Sequence, residues 1–443
     1  MRRRMAQLFA RPEGPSLGEV VREHGAYPLA VITAINLVDE LDRAALAVFA
    51  PNLRRFFDID NAALGAIVGA QVTLLILVGV PVGYLGTRID RARILRWSAA
   101  LWSVCSTATA LAVQLPAFVA ARLGTGIGKA AVEPVGKSLL TDYYPPQVWN
   151  RVLATHQSAN PMGGIIGPLG AGLIGMLTVG DAGWRWAFPV LTVPTIFVLL
   201  AARRLHEPES QMVRGLTATV ITVTGAPSDL SFRDARRRLM QIPTFRRQLV
   251  GIGVLGFGLV AVLIFINVLL EEEFGVGEGG RGLVNGILAT ASLAGTIAGG
   301  RVGERLFQAN PGHALRLVGL SIAAFSAIIS GAVFLPDIVS FVVVVWFAIL
   351  AISVAASPLN AALSAITEPR LRPLMFAMLG LFIGLFGGFA GGIIVGAIAD
   401  ATNLRVGLAS MFPFGVVGGL LMARAGETVD DDIAAVSRAL GQT

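Results

Sequence analysis

The sequence has few of the residues that carry most enzyme chemistry. Cys105 is the only cysteine, so an internal disulfide and a cysteine-ligated metal site are excluded. The four histidines are scattered without the spacing of metal ligands. A nucleotide-binding loop of the form G-x-x-x-x-G-K-[ST] is also missing. We therefore expect no enzyme, no metal, no other cofactor and no ATP-driven process.

Charged residues are also scarce. They make up 14% of the chain, against about 25% in soluble proteins. Hydrophobic residues make up 54%, but aromatic residues only 7%. The apolar content is mainly Ala, Leu, Ile and Val with many glycines, and small residues let membrane helices approach closely. This composition excludes an ordinary soluble or disordered chain and predicts an all-α membrane protein.

Apolar segments of about 20 residues, the length of one bilayer crossing, recur along the chain. We predict twelve transmembrane helices, near 28–50, 62–84, 94–114, 117–139, 152–178, 184–203, 247–270, 281–303, 313–335, 338–360, 374–398 and 404–423. The predicted organisation is a cytoplasmic N-terminal segment (1–26), an N-terminal bundle (27–203), a linker (204–246), a C-terminal bundle (247–424) and a cytoplasmic tail (425–443).

The net charge of +7 arises from arginines that collect in loops on one side of the predicted membrane. This positive-inside pattern predicts a multi-pass protein of the plasma membrane (the bacterial inner membrane) with both termini cytoplasmic, and it argues against nucleic-acid binding.

The basic N-terminus has no long apolar core, so we expect no cleaved signal peptide. In the linker, the stretch SFRDARRRLMQIPTFRRQLV predicts an amphipathic helix at the cytoplasmic membrane surface, with an ordinary basic linker as the alternative. Glu271, Glu272 and Glu273 are expected to be solvated at the outer end of span 7.

Similar loops follow spans 2 and 8, which indicates a duplicated six-helix unit. Both loops resemble the signature G-x-L-x-D-R-x-x-R-R of the major facilitator superfamily. The resemblance implies two pseudo-symmetric six-helix bundles and a cytoplasmic latch that opens and closes during transport. In the first copy, Thr87 stands where the family has Asp, and Asp90 is a substitute. Simple positive-inside charge is the alternative for the latch residues, which are Gly83, Arg88, Asp90, Arg91, Gly300, Glu304 and Arg305.

Span 4 carries four ionisable residues, Arg122, Lys129, Glu133 and Lys137, which fall within roughly an 80° arc of one helix face. We expect ion pairs between Lys129 and Glu133 and between Glu133 and Lys137, each at i, i+4. The two lysines are the only ones in the chain.

Span 1 carries Asn36, Asp39, Glu40, Asp42 and Arg43 at a similar depth. Each charge at mid-bilayer costs at least about 2.5 kcal/mol on insertion scales, so pairing between spans 1 and 4 is expected. We interpret the two spans as a substrate and ion site, with ion pairs that only fix helix packing as the alternative. The candidates for proton coupling are Asp39, Asp42 and Glu133. The candidates for substrate binding are Asn36, Glu40, Arg43, Arg122, Lys129, Lys137, His156, Asn160, Asn267 and Asn360, with an interfacial position favoured for His156.

Residues 36–208 resemble the spinster-type branch of the superfamily, which includes lysophospholipid and sphingolipid transporters. The resemblance rests on Asp42-Arg43, Gly83-Tyr84-Leu85-Gly86 and Arg122-x-x-x-Gly126-Ile127-Gly128. The branch has a glutamate, a proposed proton site, where this chain has Lys129. Proton coupling would then fall to Glu133, Asp39 or Asp42, or be absent.

In the superfamily fold, spans 1, 4, 7 and 10 line the central cavity, and here spans 7 and 10 are nearly apolar. One charged wall and one apolar wall suit an amphiphilic or anionic organic solute, lysolipid-like, moved by alternating access. We expect a monomer in the lipid bilayer. The alternatives are a drug or metabolite efflux antiporter of the same fold and a non-transporting membrane sensor.

Overall fold

The computed structural model describes residues 17–85, 89–144, 149–178, 183–207, 232–367 and 371–439. These residues form helices and short connections, and no strand occurs among them. A helix satisfies its backbone hydrogen bonds internally, which a segment surrounded by hydrocarbon requires.

Twelve helical passes are present, as predicted. In the first half they are Tyr27–Val48 (span 1), Asn61–Leu85 (span 2), Arg91–Leu111 (span 3), Leu115–Lys129 with Val132–Tyr143 (span 4), Trp149–Gln157 with Ala159–Leu177 (span 5) and Trp184–Ala202 (span 6). In the second half they are Pro243–Glu272 (span 7), Glu278–Ala309 (span 8), Pro311–Ala332 (span 9), Ile338–Ala365 (span 10), Arg372–Phe382 with Ile383–Gly391 and Gly392–Ala401 (span 11), and Leu404–Ala409 with Met411–Arg424 (span 12).

Seven of the described helices are long and apolar enough to cross a membrane on their own. Span 1 is not one of the seven, and it carries four charged side chains within 22 residues. Shorter helices lie outside the passes, at Leu17–His24, Ala50–Phe57, Phe232–Gln241 and Val429–Ala439. In Phe232–Gln241 the side chain of Leu239 is buried in the core of the second half, while Arg236, Arg237 and Arg238 are exposed.

The passes run between two faces of the molecule. We call the face where span 6 ends and span 7 begins the linker face, and the face with the loops between spans 1 and 2 and between spans 7 and 8 the far face.

Spans 4 and 5 are each interrupted near their middle. Span 4 breaks at Ala130–Ala131, and span 5 breaks at Ser158. A proline follows each break at the third residue of the new helix, Pro134 and Pro161. Because proline lacks the N–H that would bond to the carbonyl four residues earlier, neither helix can continue unbroken through these points. Span 11 widens instead, through the π-helical segment Ile383–Gly391.

The two halves touch backbone to backbone through glycines. A Cβ atom on Gly65 of span 2 would lie 2.3 Å from the carbonyl oxygen of Gly392 in span 11. A Cβ atom on Gly282 of span 8 would lie 2.3 Å from the carbonyl oxygen of Pro168 in span 5. These two seams leave no room for side chains, so the halves fit closely where they meet.

We therefore predict that Gly65→Ala destabilises the protein. Alanine normally stabilises a helix relative to glycine by roughly 0.5–1 kcal/mol, but here its methyl group has to displace the backbone of span 11. The melting temperature in detergent should fall by several degrees. The matched control is Gly331→Ala in span 9, where nothing lies within 4 Å of the new methyl group. Equal melting temperatures for the two variants would contradict the close packing of spans 2 and 11.

Candidate transport site

A buried lysine joins spans 1 and 4. The Nζ atom of Lys129 lies 2.6 Å from Oδ1 of Asp39 and 2.7 Å from Oδ2 of Asp42. Lys129 is the last residue before the break in span 4, so its ammonium group also lies at the negative end of a helix dipole. The break thus places the cation where two carboxylates and a helix terminus stabilise it.

A second buried cation closes the other side of Asp42. Arg122 is fully buried, and each of its two terminal nitrogens lies 3.4 Å from a carboxylate oxygen of Asp42. Arg122 also donates hydrogen bonds to the side-chain oxygen of Gln71, at 3.1 and 3.2 Å. The hydroxyl of Ser106 donates to Asp42 as well. Asp42 is therefore held by Lys129, Arg122 and Ser106 together, which compensates its burial.

Among the cations of this region, Arg43 is the one with an exposed side chain. Its side chain is 58% exposed, and it pairs with Asp39 at 3.2 Å and with Glu40 at 2.9 Å. The guanidinium group keeps donors free for a ligand because these two carboxylates engage only part of it. Asp39 therefore contacts both the buried Lys129 and the accessible Arg43.

Two adjoining cavities meet at Arg43 and Ala47. One, of about 300 Å³, extends along spans 1, 2 and 4 past Gln71 to Arg122 and Lys129. The other, of about 420 Å³, lies between the halves, with Glu40 and Arg43 on the side of the first half. Its opposite wall is mainly apolar, and its members include Val262, Ile266, Leu288, Phe325, Ile349 and Ile352.

The prediction of an ion pair between Lys129 and Glu133 is wrong. The break at Ala130–Ala131 ends the single helix face on which that expectation rested, and Lys129 turns to span 1 instead. Glu133 pairs with Lys137 as expected, and both side chains are about two-fifths exposed.

For His156, an interfacial position stays a prediction. Its side chain is fully buried, and neither ring nitrogen has a hydrogen-bond partner among the described residues. Beside it, the side-chain amide of Asn36 donates to Asn160 at 2.8 Å and lies 3.5 Å from the His156 carbonyl oxygen. These polar groups link spans 1 and 5 next to the break at Ser158.

The two substrate-binding candidates of the second half, Asn267 and Asn360, differ in position. Asn267 is buried and accepts a hydrogen bond from Asn285, which lines the larger cavity, at 2.7 Å. Asn360 is exposed near the linker-face end of span 10 and is not brought to the cavity.

The loop motif after span 2 contributes a cluster within the first half. Arg91 pairs with Asp142 at the end of span 4 and with Glu207 beyond span 6. Asp90 caps span 3 by accepting from the backbone N–H of Arg93 at 2.8 Å.

In the second copy of the motif, after span 8, Gly300 approaches Ser357 of span 10 and Arg305 is exposed. Gly83 lies in the last turn of span 2, whereas Arg88 and the side chain of Glu304 lie outside the described residues.

A polar cluster on the far face was missed by the sequence analysis. Arg281 of span 8 is buried and donates to the carbonyl of Val48 at 2.9 Å and to the side-chain oxygen of Asn52 at 2.7 Å, both in the other half. It also pairs with Glu271 and lies 3.6 Å from Glu278. A buried arginine thus fastens the two halves together at this face.

Further ion pairs across the halves surround Arg281. Arg54 pairs with Glu272, and Arg55 pairs with Glu271. The prediction that the glutamates at the end of span 7 are solvated is therefore wrong for Glu271 and Glu272, because both pair with arginines of the first half. The arginine pair after span 1 and the acidic run after span 7 were the signal, since they occupy equivalent positions with opposite charge. Asp400 adds hydrogen bonds to the backbone N–H groups of residues 61 and 62.

Comparisons with known proteins agree with this architecture. The profile of the family described as Major Facilitator Superfamily matches residues 32–349. The protein spinster of Drosophila melanogaster is 27% identical over 197 residues, which are 44% of this chain and 32% of that protein. The 3-(3-hydroxy-phenyl)propionate transporter of Escherichia coli is 31% identical over 186 residues, 41% of this chain and 43% of that protein. The matched region thus spans less than half the length of either relative.

Solved structures show the same fold over almost the whole chain. A bacterial homolog of the human lysosomal transporter Spinster, inward-facing and unoccupied, matches with a TM-score of 0.81 at 20% identity, covering 92% of this chain and 98% of that one. A D-xylose-proton symporter matches with a TM-score of 0.69 at 18% identity, covering 89% and 96%. The family match shows that the chain belongs to the Major Facilitator Superfamily, whose members are transporters, and 44% of the chain is similar to spinster.

Proposed function

We propose that the protein moves an amphiphilic or anionic organic solute, lysolipid-like, by alternating access. The observation that carries this proposal is the larger cavity, where the half-exposed guanidinium group of Arg43 faces an apolar wall of the other half. An anionic head group can form charge-assisted hydrogen bonds with Arg43. Each CH₂ group buried against the opposite wall contributes about 0.8 kcal/mol.

In this proposal, the positions of the three cations support different tasks. Arg122 and Lys129 are buried and engaged by Asp42, so they balance charge within the first half. Arg43 projects into the cavity, so it is the group that meets the solute. Asn36, Asn160 and His156 are further candidate substrate contacts in this proposal.

Small organic carboxylates are the second candidate class, within the alternative of a metabolite transporter. It is favoured by the named functions of two relatives, the 3-(3-hydroxy-phenyl)propionate transporter and the cis,cis-muconate transport protein of Acinetobacter baylyi, which is 25% identical over 242 residues, 54% of this chain and 57% of that protein. Such solutes would use Arg43 but fill less of the apolar wall. A sensor would bind the same solute without moving it.

Uptake into liposomes tests the proposed substrate. We expect reconstituted protein to take up a lysophospholipid but not a cationic dye. Arg43→Gln should raise the KM at least about tenfold because it removes a charge-assisted contact, whereas Arg43→Lys should retain most of the affinity. Uptake of the dye alone would contradict an anionic or amphiphilic solute. Uptake of 3-hydroxyphenylpropionate but not lysophospholipid would favour the second class, and binding without uptake would favour a sensor.

We also propose proton coupling through the carboxylates of span 1. Asp39 is the better-placed group, because it bridges the buried Lys129 and the accessible Arg43. Protonation of Asp39 would remove one carboxylate partner from each of the two cations, leaving Lys129 with Asp42 and Arg43 with Glu40. Glu133 pairs with Lys137 outside this cluster and is the weaker candidate.

The two lysines of the chain provide a matched test of this site. Lys129→Met should abolish transport driven by a pH gradient, because it leaves Asp39 without its buried cation. Breaking a buried pair in this way costs about 3–5 kcal/mol, so the melting temperature should also fall. Lys137→Met removes the same side chain from an exposed pair and should change stability by less than about 1 kcal/mol.

A double variant separates a structural role from a functional one. Lys129→Met combined with Asp39→Asn removes both members of the pair between these two residues. It should restore part of the melting temperature, because Asp42 still lacks Lys129 but keeps Arg122 and Ser106. Transport in liposomes should stay absent in this variant if the pair couples protons. Recovery of transport together with stability would mean that the pair only fixes helix packing.

For the membrane orientation, we propose that the linker face is cytoplasmic, in the bacterial inner membrane, and that the protein acts as a monomer. The excess of arginines in the loops of that face supports this orientation. The far face would then be the outer gate, closed by Arg281 and the surrounding ion pairs.

Arg281→Gln should shift the protein toward opening at the far face. The substitution leaves Glu271 unpaired by span 8 and removes the contact with the Val48 carbonyl. With Asn285→Cys as a reporter in a Cys105→Ser background, labelling by a membrane-impermeant maleimide from the far side should become several-fold faster. Arg405→Gln is the control, because Arg405 pairs with Glu273 within the second half at 2.8 Å. Equal labelling rates in the two variants would remove Arg281 from the gate.

A further inference from the structure

A groove on the outer surface of the first half lies between spans 3 and 6, near the linker face. Its volume is about 670 Å³, and it is separate from the central cavities. Its lining residues follow helical spacing on both spans. Span 3 contributes Arg93, Arg96, Trp97 and Ala100, and the last two turns of span 6 contribute Ile196, Leu199 and Leu200, with Arg203 directly after them.

The groove is basic at one end and apolar at the other. The three arginines lie toward the linker face, and Ile196, Leu200 and Ala100 lie deeper along the spans. Trp97 is 71% exposed, which places a large ring at the boundary between the two parts. Tryptophan is enriched at this level of a membrane because its ring is apolar and its N–H is polar.

The arginines of the groove differ from the neighbouring Arg91. Arg91 is matched by Asp142 and Glu207, whereas no acidic side chain of the described residues pairs with Arg93 or Arg203, and both are exposed. Asp90 is occupied as the cap of span 3. The groove therefore holds positive charge that the described part of the protein does not balance.

Arg96 gives this end of the groove a fixed shape. Its guanidinium group donates to the backbone carbonyls of Leu205 at 3.1 Å and Arg203 at 3.4 Å. These bonds tie span 3 to the chain that directly follows span 6, where carbonyls lack intrahelical partners. Arg93 and Arg203 thus stand on either side of a braced helix junction.

We propose that this groove binds one anionic phospholipid of the leaflet at the linker face. The phosphate group would lie between Arg93 and Arg203, beside Trp97, and an acyl chain would run along Ile196 and Leu200. The charge pattern favours this occupant, since a basic pocket between transmembrane helices matches an anionic head group and an apolar floor matches a chain. The surrounding surface faces lipid, as the exposure of Phe197 and Leu200 indicates.

Native mass spectrometry of the full-length protein in detergent tests this proposal. Phosphatidylglycerol and phosphatidylcholine with identical chains are the probes, and we expect one phosphatidylglycerol to be retained in preference to phosphatidylcholine. Arg93→Gln with Arg203→Gln should weaken phosphatidylglycerol binding roughly tenfold or more and abolish the preference. Arg93→Lys with Arg203→Lys should keep it.

The pseudo-symmetry of the fold provides a charge-matched control. Arg316 of span 9 and Arg424 of span 12 are the exposed counterparts in the second half, so Arg316→Gln with Arg424→Gln removes the same charge elsewhere. This control should bind phosphatidylglycerol like the unaltered protein. Equal loss in both double variants, or no loss in either, would overturn the site.

A thermal-shift measurement distinguishes a lipid from a simple anion. Phosphatidylglycerol should raise the melting temperature of the unaltered protein but not of the Arg93→Gln, Arg203→Gln variant, because a ligand that binds only the native state stabilises it. Inorganic phosphate and glycerol phosphate should have little effect. An equal rise in melting temperature with either soluble anion would show that the acyl chain does not contribute to binding. Phosphatidylglycerol binding only after removal of residues 208–231 would show that the linker occupies the groove. Either result would overturn the proposal.

Discussion

The buried carboxylate of Asp42 constrains the first half more than any other group. Two cations and a hydroxyl converge on it from spans 3 and 4, and removing any one would leave charge or a polar atom uncompensated. The positions of spans 1, 3 and 4 are thereby fixed relative to one another. Asp39 extends the same network to Arg43, so the group that meets the cavity depends on the group that holds the helices together.

The broken helices give this network its geometry. An unbroken span 4 would place Lys129 and Glu133 on one face, one turn apart. Because Pro134 cannot donate to Ala130, the first part of span 4 ends at Lys129, and its ammonium group lies against span 1. Pro161 ends the first part of span 5 in the same way, beside the ring of His156, which has no hydrogen-bond partner in the described part of the chain. Both breaks lie next to polar groups that are buried in the same half.

The twelve passes, their repeat and the pairing of span 1 with span 4 could be predicted, because hydropathy and the cost of buried charge act locally. The pairing of Lys129 could not be predicted from spacing alone, since Pro134 acts by interrupting the helix on which the spacing is counted. The far-face cluster around Arg281 was missed because Arg281 and Val48 are distant in sequence, and one partner is a backbone carbonyl that no sequence pattern marks. The sequence shows the acidic run after span 7 and Arg54–Arg55 after span 1. These residues come together only through the packing of the two halves against each other.

Polar contacts between the halves are distributed unevenly through the described residues. The buried ion pairs at the centre, from Asp39 and Asp42 to Lys129 and Arg122, lie within the first half. The ion pairs that cross between the halves lie at the far face, where water can replace them when they separate. Rocking of the halves therefore need not break a buried charge pair in low dielectric. In the central cavity, a solute with its head at Arg43 and its chain on Val262 and Ile352 would itself bridge the halves. An amphiphile would then bias the closing of the cavity through contacts that neither half can make alone.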